Sequence, residues 1–227
     1  MPLSDTLYAD EIDDVLSKAR RGTGLQTADL SIPEQAEALS LNVAGLEALQ
    51  QLHYPHPTSY PKGLHRIHLP YLNFSVNAWV LVTEMSTVLI DTGAEASPIM
   101  DYLWDHGLDL THILLTHDHP DHVGGWNQLS RTLSSEQAPL MQIQTLATPG
   151  HSATHQSYYF PEHHICFTGD ALFAGSMGAP NSSYPDALQS VKKLLDLPPN
   201  TILCPGHGPA TTVRHERAYN SFSQHSY

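Results

Sequence analysis

The stretch His117-Asp118-His119-Pro120-Asp121-His122 sets three imidazoles and two carboxylates within six residues. It follows the apolar run Ile113-Leu114-Leu115 and precedes Gly124-Gly125, so it lies where a buried strand turns into a loop. In extended backbone, side chains two apart share a face, which lets His117 and His119 aim at one point. The turn after Pro120 sends Asp121 and His122 toward a neighbouring point. Nitrogen and carboxylate donors in this mix suit zinc, manganese or iron. Four donors cannot complete two coordination shells, so others must come from elsewhere. Three candidates stand just after other apolar strands: His151 in Thr148-Pro149-Gly150-His151, Asp170 in Phe167-Thr168-Gly169-Asp170, and His207 in Pro205-Gly206-His207-Gly208. Each sits in a glycine-flanked turn, where sharp loops and close approach are permitted. A single Gly-His-Gly or Gly-Asp is ordinary loop chemistry; four such motifs in order at strand ends are not. Among the sixteen histidines, His56, His112, His155, His163, His164 and His215 read as bystanders.

The elements that must carry these residues are legible as a change of pattern. Residues 1–63 read as a helical extension. Tyr8, Ile12, Val15, Leu16 and Ala19 keep helical spacing up to a break at Arg21-Gly22-Thr23-Gly24. A second helix starts at the Ser31/Glu34 capping box and continues through Ala36, Leu39, Val43, Leu46, Leu49 and Leu52. Proline-rich residues 54–63 then form a linker. Two helices without chemistry suggest a packing or homodimerisation element. Residues 64–227 read as short strands (64–69, 78–82, 87–90, 113–115, 141–146, 157–160, 164–167, 201–203) with interspersed helices. Those helices fall near 97–106, around Trp126, Leu129 and Leu133, over 185–195 and over 212–219. Strands dominate without strict βαβ alternation, which implies a layered α/β fold with mixed sheets.

Length and charge narrow the function. The 227 residues fit one generous domain, or a smaller one with an appendage. A formal charge of −13 disfavours nucleic acid and anionic lipid as partners and leaves a small-molecule substrate as the easier fit. Bound divalent cations would offset that acidity locally. Cys166 and Cys204, both within apolar runs, read as buried free thiols of a reducing compartment. With no basic-then-apolar start and no run of ~20 apolar residues, a cytoplasmic location is expected.

The motif series His-x-His-x-Asp-His, Pro-Gly-His, Gly-Asp and Gly-His-Gly, in that order over residues 64–222, resembles the metallo-β-lactamase superfamily. The resemblance implies an αββα sandwich with two divalent metal ions between the sheet edges, zinc first, with iron or manganese as alternatives. Carried over motif by motif, His117, His119 and His151 would hold one ion, Asp121, His122 and His207 the other, and Asp170 would bridge them. Asp91 in Ile90-Asp91-Thr92-Gly93 resembles a residue that orients the cluster. Such a centre lowers the pKa of a shared water from ~15.7 toward ~7, and Asp121 would orient the resulting hydroxide as the catalytic residue.

Phe167-Thr168-Gly169-Asp170-Ala171-Leu172-Phe173 and Thr211-Thr212-Val213-x-x-Glu216 resemble the glyoxalase II-related branch, whose members hydrolyse 2-hydroxyacyl thioesters of glutathione. Pro209 stands where two-domain glyoxalases carry a glutathione-binding tyrosine, so the match is nearer to single-domain relatives. The stretch between His122 and His151 is short by about a hairpin, and the N-terminal helices are expected to cover the space this opens. A small thioester or ester is the expected substrate. Lactonase, small-molecule phosphodiesterase and mononuclear-iron persulfide dioxygenase chemistry are the alternatives.

Overall fold

Amphipathic spacing makes the first helix, α1 (Glu11–Thr23), bury Val15, Leu16 and Ala19 in a computed structural model that describes residues 11–50, 60–134 and 142–223. The capping box opens α2 (Ile32–Ala38), where the Glu34 carboxylate accepts the Ser31 backbone N–H at 2.9 Å. The apolar stripe expected as one helix is divided, and α3 (Val43–Gln50) is separate. The chain turns left-handed at Ser40 (φ 55°), where Leu41 N–H bonds back to Ala36 O, and Asn42 is pinned through its amide to Ala218 O and Ser223 Oγ. Periodicity alone cannot register that break, because Leu39, Leu41 and Leu46 are buried on both sides of it. Tyr8, Leu52, His56 and residues 54–59 of the expected linker lie outside the described residues.

The first sheet contains β1 (Leu64–Tyr71), β2 (Phe74–Val82), β3 (Thr87–Ile90) and, after α4 (Ser97–Asp105), β4 (His112–Leu114), in that order. β2 begins four residues before the expected 78, because Phe74 to Asn77 continue the antiparallel ladder with β1. Two short helical turns, α5 (Pro120–Val123) and α6 (Trp126–Leu129), follow. The second sheet runs β5 (Gln144–Ala147), β6 (Gln156–Phe160), β7 (Ile165–Gly169), β8 (Ile202–Pro205) and β9 (Thr211–Thr212), with α7 (Tyr184–Leu195) and α8 (Val213–Tyr219) in the chain between or after them. Neighbours are antiparallel except β3–β4 and β7–β8.

Side-chain alternation divides the interior into three clusters and so into four layers. Trp79, Leu81, Val88 and Ile90 face Phe160, Ile165 and Phe167 between the sheets. The intervening Val76, Ala78, Val80 and Leu89 face Ile99 and Leu103 of α4. On the far side of the second sheet, Cys166 and Leu203 pack with α7, α8 and all three N-terminal helices. This is the expected αββα sandwich with an N-terminal helical extension. Within the 123–150 stretch that the helices were expected to cover, Leu146 of β5 packs in the cluster formed by those helices with α7 and α8, whereas Leu129 and Leu133 pack on the α4 side of the sandwich. Cys166 and Cys204 are buried, free, and on opposite faces of the second sheet. Among the described residues no helix is long and apolar enough to cross a membrane.

Candidate metal centre

Both sheets end at one cleft. His117 and His119 leave β4 and enter α5, whose first residue is Pro120; this turn brings Asp121 and His122 back toward the cleft. His151 follows β5, Asp170 follows β7 and His207 follows β8. The structure brings all seven sequence-predicted residues together. Potential ligand atoms of His117, His119 and His151 lie within 4.8 Å of one another, as do those of Asp121, His122 and His207. Asp170 stands between the groups: its Oδ1 is 3.4 Å from His122 Nε2, and its Oδ2 is 3.4 Å from both His151 Nε2 and His207 Nε2.

Hydrogen bonds behind the rings decide which nitrogen faces the cleft. His122 Nδ1–H donates to Asp91 Oδ2 (2.8 Å), His151 Nδ1–H to Ala179 O (2.8 Å) and His207 Nδ1–H to Ser75 O (2.6 Å). Thr116 Oγ1 gives its proton to Asp91, so it accepts from His117 Nδ1–H at 3.0 Å. Four rings therefore turn Nε2 inward, the arrangement metal-binding histidines take when an outer partner holds the other ring nitrogen. The nitrogen of His119 that meets His117 Nε2 (3.0 Å) and His151 Nε2 (2.9 Å) is Nδ1.

The donor set fits divalent cations. Atoms about 2.1 Å from one ion lie roughly 3.4 Å apart at the tetrahedral angle and roughly 3.0 Å apart at a right angle. Four carboxylate-to-imidazole separations are 3.4 Å and the imidazole separations are 2.9 and 3.0 Å, near these two values, while His122 Nε2 to Asp121 Oδ2 is wider at 3.8 Å. His122 Nε2 and Asp170 Oδ1 are buried with no hydrogen-bond partner, at a cost of ~1–3 kcal/mol each that a bound cation would remove. Gly206 makes room for this: a Cβ there would fall 2.3 Å from Asp170 Oδ1 and 2.6 Å from His122 Cε1.

Burial, and then the neighbouring His122, push His117 down to about 2. Burial acts the same way on His207, but Asp170 and hydrogen bonds to Asp121 and Asp170 outweigh it and push His207 up to about 10. Asp170 is fully buried, which would raise it, yet His207 and His122 hold it well below the usual carboxylate range.

Of the supporting residues, Asp91 was expected from the resemblance, whereas Thr92, Asn77 and His155 were not legible as supports in the sequence. Asp91 takes a left-handed backbone (φ 60°) and accepts from the Thr116 backbone N–H as well as from His122. Thr92 holds the His122 carbonyl through its N–H and Oγ1. Asn77 clamps the loop before and after His207, donating its amide to Pro205 O and Gly208 O. His155, expected to be a bystander, is 1% exposed and stacks on His117 with ring centroids 5.0 Å apart. Burial pushes it down to about 3. The sequence signal was present, since His155 stands four residues after His151 in the same turn. His112, His163, His164 and His215 are not among the clustered residues.

The model of the Metallo-beta-lactamase superfamily matches residues 72–139 and 133–207. The chain belongs to that superfamily. Within it, the chain is similar to hydroxyacylglutathione hydrolase of Cereibacter sphaeroides, 33% identical over 138 residues, covering 50% of this chain and 54% of that protein. The chain thus spans about half the length of the hydroxyacylglutathione hydrolases it matches first. The probable metallo-hydrolase YqgX of Bacillus subtilis is 28% identical over 200 residues, covering 68% of this chain and 95% of that one. Among solved structures, TTHA1623 in a di-iron-bound form superposes with a TM-score of 0.58 at 31% identity, covering 70% of this chain and 99% of that one. This superfamily member thus shares its sandwich with a protein observed holding two metal ions.

Proposed function

We propose that this superfamily member is a metallo-hydrolase that cleaves a small thioester or ester, in the manner of the glyoxalase II-related branch. The observation that carries the reading is the convergence of four inward-facing Nε2 atoms and the Asp121 and Asp170 carboxylates on two adjoining sites. His117, His119 and His151 would hold one divalent cation, Asp121, His122 and His207 a second, with Asp170 shared; zinc is the proposed ion, and the di-iron relative makes iron the alternative to assay. Such ions supply Lewis-acid polarisation of a carbonyl and lower the pKa of a bound water toward ~7.

The chain's own residues do the rest. Burial would raise Asp121, but its hydrogen bond from His207 and the neighbouring His122 hold it below the usual carboxylate range. It is therefore ionised at neutral pH and can accept a proton from an attacking water and orient it. Phe74 and Phe173 flank His207, with centroids 5.4 and 5.7 Å from its ring, and offer partly buried apolar walls for the acyl part of a substrate. Lys18 does not offer a charge to a substrate carboxylate, because it is buried and bonded to Met177 O and Asp14.

The test is metal analysis of the purified protein joined to a hydrolysis screen led by S-lactoylglutathione and extended to simple thioesters, esters, lactones and phosphodiesters. Two ions per chain, chelator-sensitive turnover of a thioester or ester, and loss of turnover in His119→Ala are expected. Full activity after chelation, or no bound metal with His119→Ala unaffected, overturns the proposal. One iron per chain with oxygen consumption would assign dioxygenase chemistry instead.

A further inference from the structure

The Asp170 backbone N–H donates to His155 Nε2 at 3.0 Å, in a contact where both groups are buried. A backbone amide can only donate, so Nε2 carries no proton and the ring proton resides on Nδ1. That nitrogen lies 2.9 Å from Thr148 Oγ1, which must accept. The Thr148 hydroxyl then donates to Ser157 Oγ (2.8 Å), and the Ser157 hydroxyl donates to Thr168 O (3.3 Å). Every proton in this series has one place to go. Thr148, Ser157 and Thr168 are each fully buried, so no water competes. The series starts at the residue standing between the two ligand groups and ends two residues before it, closing a ring around the β7 terminus.

Two further contacts bind the ring to the site. Its face stacks on His117 at 5.0 Å and 29°. The next residue's N–H, from Gln156, bonds Thr116 O at 2.8 Å and so ties the second sheet to the end of β4. Gly169 allows this approach, since a Cβ there would lie 2.8 Å from His155 Nε2.

We infer that His155 is a positioning residue of the metal centre: as a neutral Nδ1–H tautomer it holds the Asp170 backbone so that both carboxylate oxygens meet the two ligand groups. It touches no substrate or ion and acts through Asp170 and His117. The inference rests on reading the site as a metal centre, and the experiment separates the two.

Metal affinity of the full chain is measured by competition with a chromophoric chelator, using zinc and cobalt. The wild-type protein is compared with His155→Leu, which keeps bulk; His155→Gln, whose Oε1 can accept from the Asp170 N–H; and His155→Asn, which reaches Thr148 but not Asp170. His155→Leu and His155→Asn are expected to lose about 10–100-fold in affinity and to alter the cobalt visible spectrum, with His155→Gln recovering most of both. The order wild type, Gln, then Leu and Asn should hold whatever the melting temperatures of the metal-free forms. If His155→Leu does not fold, the Gln and Asn pair decides. Wild-type affinity in the variants, or Gln no better than Asn, overturns the role of His155 alone. Failure of the wild-type protein to bind metal overturns the reading of the site.

Discussion

Each sheet contains one parallel pair, β3–β4 in the first and β7–β8 in the second, and each pair delivers a carboxylate beyond one strand and a histidine beyond the other. The residues are Asp91 and His117 from the first, Asp170 and His207 from the second. Both carboxylate corners turn left-handed, but at different places: at Asp91 itself (φ 60°) and at Gly169 (φ 48°), one residue before Asp170. The offset separates the roles. Asp91 bonds Thr116 and the outer nitrogen of His122, behind the ring. Asp170 stands 3.4 Å from three inner nitrogens. Two corners of similar design therefore make one carboxylate that orients imidazoles and one that would share their ions. The histidines diverge as well, His117 pushed down to about 2 and His207 up to about 10, because the second corner has the carboxylates beside it.

The largest effect should separate the two carboxylates. Asp170→Asn is expected to reduce bound metal below two ions per chain and to lower kcat/KM at least ~1000-fold, or about 4 kcal/mol of barrier. Asp91→Asn should retain both ions at saturating metal and lose about 10–100-fold in affinity. Equal losses on chelator titration would erase the distinction.

Next in size, glycine substitutions probe what each end encloses. In Gly206→Ala the new methyl meets Asp170 Oδ1 and His122, so metal occupancy should fall more than melting temperature. In Gly125→Ala it meets Thr92 O at 2.4 Å and no ligand atom, so stability should fall by about 1–3 kcal/mol with a smaller loss of metal than in Gly206→Ala. Calorimetry beside metal analysis checks both.

The metal-free protein should show the divergence of His117 and His207 in its pH dependence. The folded His117 resists protonation, so its stability contribution is complete above 6.5 and is lost as pH falls toward about 2. The folded His207 prefers its proton, so its contribution is complete below 6.5 and is lost as pH rises toward about 10. In denaturant titrations, His117→Ala should flatten the acid arm and His207→Ala the alkaline arm. Both variants flattening the same arm would refute the assignment.

The smallest effect concerns the apolar walls. Burial pushes the thiols of Cys166 and Cys204 well up, on opposite faces of the second sheet. Both should resist a thiol reagent at pH 8 until the chain unfolds, with no loss of activity under reducing conditions.

The ligand residues were readable because each motif is local: a strand end, a glycine turn and a His or Asp within a few positions. The strands were readable because Val, Ile, Leu and Phe cluster in short runs. The break at Ser40 was not, since the apolar residues on both sides of it point into one cluster. Nor were the supports. Asn77 falls just outside the expected strand 78–82 and His155 reads as one histidine among sixteen, until β8 and β7 are placed beside them.

By itself the sequence determined the kinds of ligand, their order and their position at strand ends, because backbone geometry and side-chain chemistry are local properties. Only the tertiary structure decided which imidazole nitrogen faces the cleft, and that the N-terminal helices cover α7 and α8. The physical reason is that those choices belong to partners remote in the chain. Asp91 lies 31 residues from His122, Ala179 lies 28 from His151, and Ser75 lies 132 from His207. A hydrogen bond that sets a tautomer exists only after the sheets have packed.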